Sequence, residues 1–391
     1  MREFNLPANV LNFRRNALAL GALGLIVGVI GLGLGFAGIV PLEQFFQSYL
    51  FGYVFVLQFP LGCLGLLMIH HLAGGRWGFT IRRLLEAGAM TLPVMGLLFI
   101  PVLLGMNFLY EWLHELEDPL IQHKAPYLNM PFFIIRAILY FIIWSGLAYL
   151  LNQMSRRQDE TGEGNVARFK ALSAGGIILF MLTVTFAAYD WMMSLQPHWF
   201  SSIYGVIYAG GSAAATIALM LITGRLLHRQ KPMSDWFTLD IFNDLANFLL
   251  AFVSFWAYVS FSQFLIIWAA NLPEEITWYI YRSQGGWQYQ AIALIFLHFG
   301  LPFLLLLSRA IKRNINITVP LAAWVIFMRA VDWHWHIMPA FYHEGFHLHW
   351  LDLALPVGLG GLWMWLYITQ LRQKPLIAQH DPRFQEVPAH G

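Results

Sequence analysis

The sequence predicts an all-α integral membrane protein with ten transmembrane helices. Hydrophobic residues make up 58% of the 391-residue chain, charged residues make up 11%, and the mean hydropathy is +0.59. A soluble protein carries about 25% charged residues, so the apolar surface of this chain faces lipid. Ten apolar stretches are long enough to cross a bilayer, which takes about 20 helical residues. They lie near residues 17–40, 45–70, 84–106, 131–153, 170–194, 200–224, 241–270, 288–308, 317–339 and 350–371.

The charges of the connecting segments alternate along the chain. Cations cluster before the first stretch and after every even-numbered stretch, the tenth included. The other connections hold only Lys124 and Arg282 as cations, and they carry most of the loop carboxylates. This alternation predicts that both termini are cytoplasmic. The first stretch is too long for a signal-peptide core, so we expect it to be retained. We expect the polar tail after Lys374 to be loosely ordered.

Composition also excludes several kinds of protein. Cys63 is the only cysteine, which rules out an internal disulfide, a four-cysteine iron–sulfur cluster and a C-x-x-C-H haem attachment. The net charge of +2 does not favour nucleic acid as a partner. Five histidines crowd the end of the ninth stretch and the start of the tenth, and we interpret them as interfacial side chains rather than as a metal site. They are His334, His336, His343, His347 and His349.

One phrase, Asp-Trp-x5-Pro, occurs twice, at Asp190 and at Asp332. The two copies close the fifth and ninth stretches, which are four helices apart. This spacing predicts two parallel-repeat four-helix bundles, helices 2–5 and 6–9, flanked by helices 1 and 10, although coincidence is the alternative. The predicted divisions are 1–40, 41–198, 199–340 and 341–391. A parallel repeat of this kind commonly holds a site between or within its bundles.

Four ionisable residues lie within or at the edges of these apolar stretches. A charge at the bilayer centre costs about 2.5–3.5 kcal/mol, so such residues normally face a bundle interior or a wet cavity. They mark a route for protons, ions or a polar ligand. The four residues are Asp190, Asp244, Arg329 and Asp332.

The seventh stretch carries a stripe of polar residues on one helical face. The stripe consists of Asp240, Asp244, Asn247, Ser254, Tyr258 and Ser262. It is about 33 Å long at 1.5 Å per residue, close to the thickness of the hydrocarbon layer. Two interpretations stay open, a proton route from the cytoplasmic end and a helix-packing seam. The carboxylate of Asp244 favours the route, because packing does not require a charge.

Further polar residues are predicted to meet near the other membrane surface. Arg329, Asp332 and His336 share one face of the ninth helix, and we expect Arg329 to hold Asp332 ionised or poised. Arg136 of the fourth helix lies at a depth from which it reaches Asp190. His298, near the middle of the eighth helix, is either a proton shuttle or a hydrogen-bonded core residue.

The longer strings in the chain resemble those of the polysulfide-reductase-type (NrfD-like) membrane subunits of bacterial alternative complex III. These strings are DWMMSLQPHWF at 190–200, FSQFLIIW at 261–268, NLPEE at 271–275 and VDW at 331–333. The resemblance covers nearly the whole chain and is closest to the second such subunit of the complex.

The resemblance implies a multi-pass subunit of the bacterial cytoplasmic membrane with no redox centre and no covalently bound cofactor. Expected partners are a paralogous membrane subunit, an outer iron–sulfur subunit, cytochrome c subunits, small membrane subunits and lipids. Members of this family either hold a quinone, here menaquinone or another quinone, or are proposed to conduct protons. Their fold is two four-helix bundles.

The leading hypothesis is therefore a non-catalytic subunit of a quinol:electron-acceptor oxidoreductase that provides a transmembrane proton route. The stripe would form its inner half, and His298, Asp190 and Asp332 would continue it outward. Arg136, Arg329 and His336 are the candidate quinone or charge partners, and no metal ligand is predicted. The alternatives are a purely structural scaffold that anchors the outer subunits, and a direct quinol-oxidation site in this chain.

Overall fold

The computed structural model describes residues 6–162, 165–378 and 380–381. Within these ranges the chain forms helices and turns without a β-strand, and ten helices are long and apolar enough to span a membrane, as predicted. They are α1 (Ala8–Phe36), α2 (Leu42–Ala73), α3 (Arg76–Leu104), α4 (Met130–Thr161), α5 (Val166–Leu195), α6 (Tyr204–Leu227), α7 (Leu239–Ala270), α8 (Trp287–Leu307), α9 (Ile315–Ala340) and α10 (Trp350–Leu371).

Several helices extend beyond the apolar stretches that predicted them. Helix α1 begins at Ala8 instead of residue 17, so Arg14 lies inside the helix. The side chain of Arg14 reaches α10, where its Nε donates to the Thr369 hydroxyl over 3.1 Å. A long basic side chain can lie along an apolar helix and keep its charge near the membrane surface. Hydrophobicity therefore located the membrane crossing but not the end of the helix.

Helices α3 and α8 are irregular. Helix α3 consists of the segments Arg76–Ala89, Leu92–Leu97 and Ile100–Leu104, and a proline stands in the first turn of each of the last two. Proline lacks the N–H that would continue the preceding turn. The middle of α8, Leu294–Gly300, is a π-helix. Such segments are rare and often occur at functional sites.

Helices α2 and α6 lie at the centre of the molecule and pack against each other. Their backbones approach so closely that a Cβ atom on Gly62 would lie 2.4 Å from the Ser212 carbonyl oxygen. Hydroxyl groups of α6 also donate to α2, with Tyr208 bonded to the Val54 carbonyl over 3.1 Å. This seam needs small residues, as close contacts between membrane helices generally do.

The remaining helices pack around this pair. Helix α2 contacts α3, α4 and α5, and α4 also contacts α3 and α5; we call α2–α5 the first helix group. Helix α6 contacts α7 and α9, and α8 contacts α7 and α9; we call α6–α9 the second helix group. Helices α1 and α10 form a further pair, in which a Cβ on Gly24 would lie 2.5 Å from the Gly358 Cα. The predicted division of the chain at residues 40, 198 and 340 stays a prediction.

The start of the C-terminal tail packs against the helices, which corrects the expectation of loose order. Leu376, Ile377 and Ala378 are buried. Lys374 Nζ lies 2.8 Å from Glu86 Oε2, and Arg82 Nη1 lies 2.5 Å from Asp381 Oδ2, so the tail is tied to α3. The rest of the tail prediction, which falls on residue 379 and on residues 382–391, lies outside the described residues.

Candidate functional site

Asp190, at the end of α5, is buried and fully paired. Arg136 of α4 binds it through two hydrogen bonds, Nε to Oδ2 over 2.8 Å and Nη2 to Oδ1 over 2.9 Å. The Tyr140 hydroxyl donates to Oδ2 over 2.7 Å. Arg136 also donates to the Tyr127 carbonyl oxygen and lies 3.9 Å from the centre of the Tyr127 ring. The predicted meeting of Arg136 and Asp190 is confirmed, and both carboxylate oxygens are satisfied.

Asp332, in α9, is equally buried but less completely paired. Arg329 Nη1, one turn earlier in the same helix, bonds Asp332 Oδ2. Trp256 Nε1 of α7 donates to the same oxygen over 3.2 Å. His336 Nδ1 lies 2.9 Å from the Asp332 backbone oxygen and 3.4 Å from Oδ1. The predicted association of Arg329, Asp332 and His336 on one face of the helix is confirmed.

Several buried polar atoms around this pair have no hydrogen-bond partner among the described residues. They include Asp332 Oδ1, Arg329 Nη2 and Gln58 Nε2, although the Gln58 amide oxygen does accept from Arg329 Nε over 3.3 Å. A buried polar atom left unpaired is unfavourable by about 1–3 kcal/mol. Native proteins usually satisfy such groups with ordered water or a ligand. The second helix group therefore has unfilled hydrogen-bonding capacity at Asp332.

His298 lies on the π-helical segment of α8 and belongs to the same region. Its ring stands edge-on to Trp256, with the ring centres 4.4 Å apart. The side chain is fully buried, and neither ring nitrogen has a hydrogen-bond partner among the described residues. Because Trp256 touches both His298 and Asp332, the histidine predicted to lie in mid-membrane is close to the buried acid.

An open pocket of about 840 Å³ borders this network. It lies between α7, α8 and the short helix Pro273–Arg282, and its lining is mostly apolar and aromatic. Asp332 and His336 of α9 form part of its wall. Phe261 and Ile295, which also line the pocket, are more than half exposed on the lipid-facing surface. The pocket thus connects the membrane with the incompletely paired acid.

A second set of polar residues lines the pocket beside the short helix. Gln263 accepts from the Ser201 hydroxyl over 2.7 Å, and its amide nitrogen donates to the Tyr279 hydroxyl over 3.2 Å. Burial raises the pKa of Tyr279 to about 12, so its hydroxyl keeps its proton at neutral pH. The pocket therefore offers hydrogen-bonding groups at two places within an apolar lining.

Arg282 holds the short helix in place. It donates to the carbonyl oxygens of Trp335 and His336 at the end of α9, over 3.2 and 2.7 Å. Its guanidinium also lies 3.7 Å from the centre of the Trp278 ring. Burial lowers the pKa of Arg282 to about 9, which still leaves it charged at neutral pH. The loop charges identify Arg282 only as a cation, and no pattern in the sequence predicts this contact.

No protein-family model matches the chain, and no curated protein is similar to it.

The polar stripe of α7 does not face the interior of the helix groups. Asn247 and Tyr258 are exposed, whereas Asp244, Ser254 and Ser262 are half-buried. At the end of the stripe, Asp240 pairs with Arg313 at the surface. The pattern correctly placed these residues on one face, but that face points outward. There Asn247 accepts from Lys312 Nζ over 2.7 Å, and Ser254 and Tyr258 line the pocket. A proton route along it stays a prediction.

Two of the five clustered histidines depart from the expected interfacial position. His334 and His336 are buried among aromatic rings, and His334 Nε2 lies 3.9 Å from Asp352 Oδ2. The N-terminal end of α10 covers His334 through Asp352, and Trp278 of the short helix packs against His336. Hydrophobicity alone does not predict either contact. His349 acts as a helix cap, since its Nδ1 accepts from the Leu351 N–H over 3.3 Å.

One group among the described residues has the geometry for metal binding. Ligand atoms of Glu115, Asp118 and His198 lie within 4.8 Å of one another. However, Glu115 and His198 are exposed, and Asp118 already accepts from the N–H groups of Leu120 and Ile121 as a helix cap. The arrangement is that of a surface ion pair.

Proposed function

We propose that this chain is a membrane subunit of a quinol:electron-acceptor oxidoreductase complex, of the NrfD-like type that its sequence resembles. In this proposal the chain has no redox centre, binds quinol from the bilayer and carries protons away from it. The observation that carries the proposal is the pocket, which joins the lipid-facing surface to the incompletely paired carboxylate of Asp332.

The chemistry of the pocket suits a quinol. A quinol has an apolar ring and tail with hydroxyl donors on the ring, and binding sites for such molecules are mostly apolar with a few placed polar groups. Asp332 Oδ1 is an acceptor without a hydrogen bond from any described residue. Trp256 and Trp335 line the pocket with large aromatic rings. A quinol hydroxyl would satisfy the carboxylate while the ring packs against these side chains.

Each group has a separate task in the proposed reaction. Oxidation of a quinol to a quinone releases two protons and two electrons. Asp332 accepts the two hydroxyl protons one after the other, and His336 or His298 takes the first onward before the second is transferred. Arg329 stabilises the carboxylate before each transfer. The electrons leave to redox centres in partner subunits, the outer iron–sulfur and cytochrome c subunits that the resemblance implies. Menaquinone or another quinone of the membrane is the substrate.

The proposal also includes a parallel repeat and a membrane orientation for the ten helices. The first and second helix groups are the two copies of a parallel repeat, each ending in Asp-Trp-x5-Pro, and both termini face the cytoplasm of a bacterium. Two features support this: each group contains its own buried Asp–Arg pair, and cations dominate one set of connections. The pocket then lies toward the outer surface of the cytoplasmic membrane.

The decisive experiment replaces Asp332 by asparagine in the assembled complex. A general base commonly contributes 10²–10⁴-fold to a rate, so we expect Asp332→Asn to lower quinol turnover about 100-fold. A short-chain naphthoquinol serves as the substrate, and turnover is measured with an artificial electron acceptor. Asp352→Asn is the matched control, because Asp352 is a buried carboxylate outside the pocket.

The alternatives predict different results. If the chain is only a scaffold, both variants change the amount of assembled complex but not the turnover per complex. If the chain conducts protons without oxidising quinol, Asp332→Asn lowers the number of protons moved per electron in vesicles and leaves turnover intact. Unchanged turnover and unchanged proton transfer in correctly assembled Asp332→Asn complex would refute the proposal.

A further inference from the structure

The pocket between α7 and α8 has unfilled hydrogen-bonding groups other than Asp332. Ser260 of α7 and Trp335 of α9 both line it. The Ser260 hydroxyl oxygen and Trp335 Nε1 are buried, and neither has a hydrogen-bond partner within the described part of the chain. Such atoms are unfavourable unless water or a ligand meets them. Together with Asp332 they provide a carboxylate oxygen, a hydroxyl and an N–H group for a bound molecule.

The two further groups lie about one helical turn beyond Asp332. Ser260 follows Trp256 by four residues, so it lies on the same face of α7 and about 6 Å further along. Trp256 Nε1 is the group that donates to Asp332 Oδ2 over 3.2 Å. Trp335 follows Asp332 by three residues, about 4.5 Å along α9. Because only α8 separates α7 from α9, both helices cross in the same direction, and both displacements point the same way.

The other polar groups of the pocket, beside the short helix, are already bonded to protein. Gln263 accepts from the Ser201 hydroxyl and donates to the Tyr279 hydroxyl, over 2.7 and 3.2 Å. A ligand bound there would have to compete with these bonds. Ser260 and Trp335 have no such bonds to give up, so they are the better partners for a polar atom of the ligand.

The spacing of the unpaired groups matches a 1,4-quinol. The two oxygens of such a molecule lie at opposite ends of its ring, about as far apart as one helical turn rises, about 5.4 Å. When one hydroxyl donates to Asp332, the other oxygen therefore reaches the level of Ser260 and Trp335. A serine hydroxyl donates and accepts, whereas an indole N–H only donates. The pair can thus bind a hydroxyl of the quinol and equally a carbonyl of the quinone.

We propose that Ser260 and Trp335 form a second anchor, which makes the pocket specific for a ring with two oxygens in 1,4 positions. This inference rests on the proposed function, since Asp332 holds the first hydroxyl. The second hydroxyl donates to the Ser260 oxygen and accepts from Trp335 Nε1. Turning of the ring between the two proton transfers exchanges its two ends, so that each hydroxyl in turn lies at Asp332.

A comparison of two ligands tests the second anchor. The probes are 1,4-naphthoquinol and 1-naphthol, which share one ring system and differ only in the second hydroxyl. Binding to the assembled complex is measured by equilibrium dialysis without oxygen. An ordinary hydrogen bond corresponds to about a tenfold change in affinity, so we expect the complex to bind 1,4-naphthoquinol about tenfold more tightly than 1-naphthol.

A serine substitution then identifies the anchor. We expect Ser260→Ala to weaken binding of 1,4-naphthoquinol about fivefold and to leave binding of 1-naphthol unchanged, whereas Ser260→Thr, which keeps the hydroxyl, retains the preference. Ser173→Ala is the matched control, because the Ser173 hydroxyl is also buried and unpaired but belongs to α5 and lies outside the pocket. Neither alanine variant should unfold more easily than the wild type, because the hydroxyl that each loses makes no hydrogen bond to the described residues.

The results separate this inference from the proposed function. Equal affinity of the wild type for the two probes, or unchanged binding of 1,4-naphthoquinol by Ser260→Ala, would overturn the second anchor. The proposed function would survive either result if Asp332→Asn still lowers quinol turnover. Equal weakening of both probes by Ser260→Ala would also overturn the anchor, because it would indicate a change in pocket shape. A wild-type complex that binds neither probe would overturn both proposals.

Discussion

The first and second helix groups each bury one aspartate from the same short phrase, yet the two carboxylates have different surroundings. Arg136 reaches Asp190 from a neighbouring helix, and with Tyr140 it satisfies both oxygens. Arg329 reaches Asp332 from the same helix, and Asp332 Oδ1 and Arg329 Nη2 remain without hydrogen bonds from the described residues. Only Asp332 borders a pocket that opens to the membrane.

This difference separates a structural ion pair from one available for chemistry. A buried pair with all its hydrogen bonds made holds helices together, and any reaction there would first have to break it. A pair with unfilled capacity beside a pocket can accept a hydrogen bond from a ligand. Repetition of a sequence phrase therefore does not imply repetition of a role.

The largest expected effect comes from breaking the Arg136–Asp190 pair, in which both carboxylate oxygens are hydrogen-bonded. Arg136→Leu leaves the Asp190 carboxylate buried without its counter-charge, which should lower the free energy of unfolding by about 3–5 kcal/mol. Unfolding by a denaturing detergent measures it. The double variant Arg136→Leu with Asp190→Leu should recover most of the loss, because apolar residues can replace a buried pair.

Arg329→Leu tests the Arg329–Asp332 pair in the same way, by the loss in the free energy of unfolding. We expect a smaller loss than for Arg136→Leu, because Arg329 makes fewer hydrogen bonds to its aspartate than Arg136 does. Equal losses for the two single variants would mean that the two regions do not differ as described.

A second expected effect concerns the charged cluster beneath the first helix group, where Lys374 meets Glu86. Burial lowers the pKa of Lys374 to about 8, despite the opposing influence of Glu86. The unfolded chain, with a lysine pKa near 10.5, therefore binds more protons between pH 8 and 10.5. The folded state consequently gains stability as the pH rises through this window, by at most about 1 kcal/mol per pH unit.

Comparison of the wild type with Lys374→Met isolates this contribution. The stability of the wild type should rise more steeply from pH 8 to 10.5 than that of the variant, as followed by thermal unfolding in detergent. If the two plots of stability against pH are parallel, Lys374 is not buried beside Glu86, and the C-terminal tail does not pack against α3 as described.

The smallest expected effect comes from a substitution that disturbs only the Arg329–Asp332 pair. A Cβ added at Gly211 would lie 2.1 Å from Arg329 Nη2, so Gly211→Ala must displace the guanidinium. Overpacking of this kind typically costs about 1–3 kcal/mol, and the flexible end of the arginine places this case near the lower limit. Gly146→Ala is the control, because its added Cβ would meet nothing within 4 Å. Equal unfolding curves for the two variants would contradict the close packing of the Arg329 guanidinium against Gly211.

Much of the fold and part of the site followed from sequence patterns. Hydrophobicity over about 20 residues reports the membrane crossing, so ten spans were predicted, but the polar first turns of α1 were not. The spacing of Arg329, Asp332 and His336 placed them on one face because helical geometry is local. Gln58 of α2 accepts from Arg329, and Trp256 of α7 donates to Asp332. Only tertiary packing brings them there, and no spacing in the sequence could reveal it.

The stripe of α7 shows the same limit in another form. Periodicity established that Asp244, Asn247 and Tyr258 lie on one face, and it could not say which neighbour that face meets. The burial of His334 and His336 was likewise not predicted, since it depends on Asp352 of α10 and Trp278 of the short helix, which reach them only through tertiary packing.

The π-helical segment Leu294–Gly300 has a consequence for the evolution and engineering of this protein. A turn of this kind amounts to one extra residue inserted into a regular helix. Removal of a single residue there would restore ordinary winding. The two halves of α8 would keep nearly the same relative rotation, whereas the side chains inside the segment would turn to new directions. A different side chain would then meet Trp256 in place of His298, so the length of this short stretch matters as much as its composition.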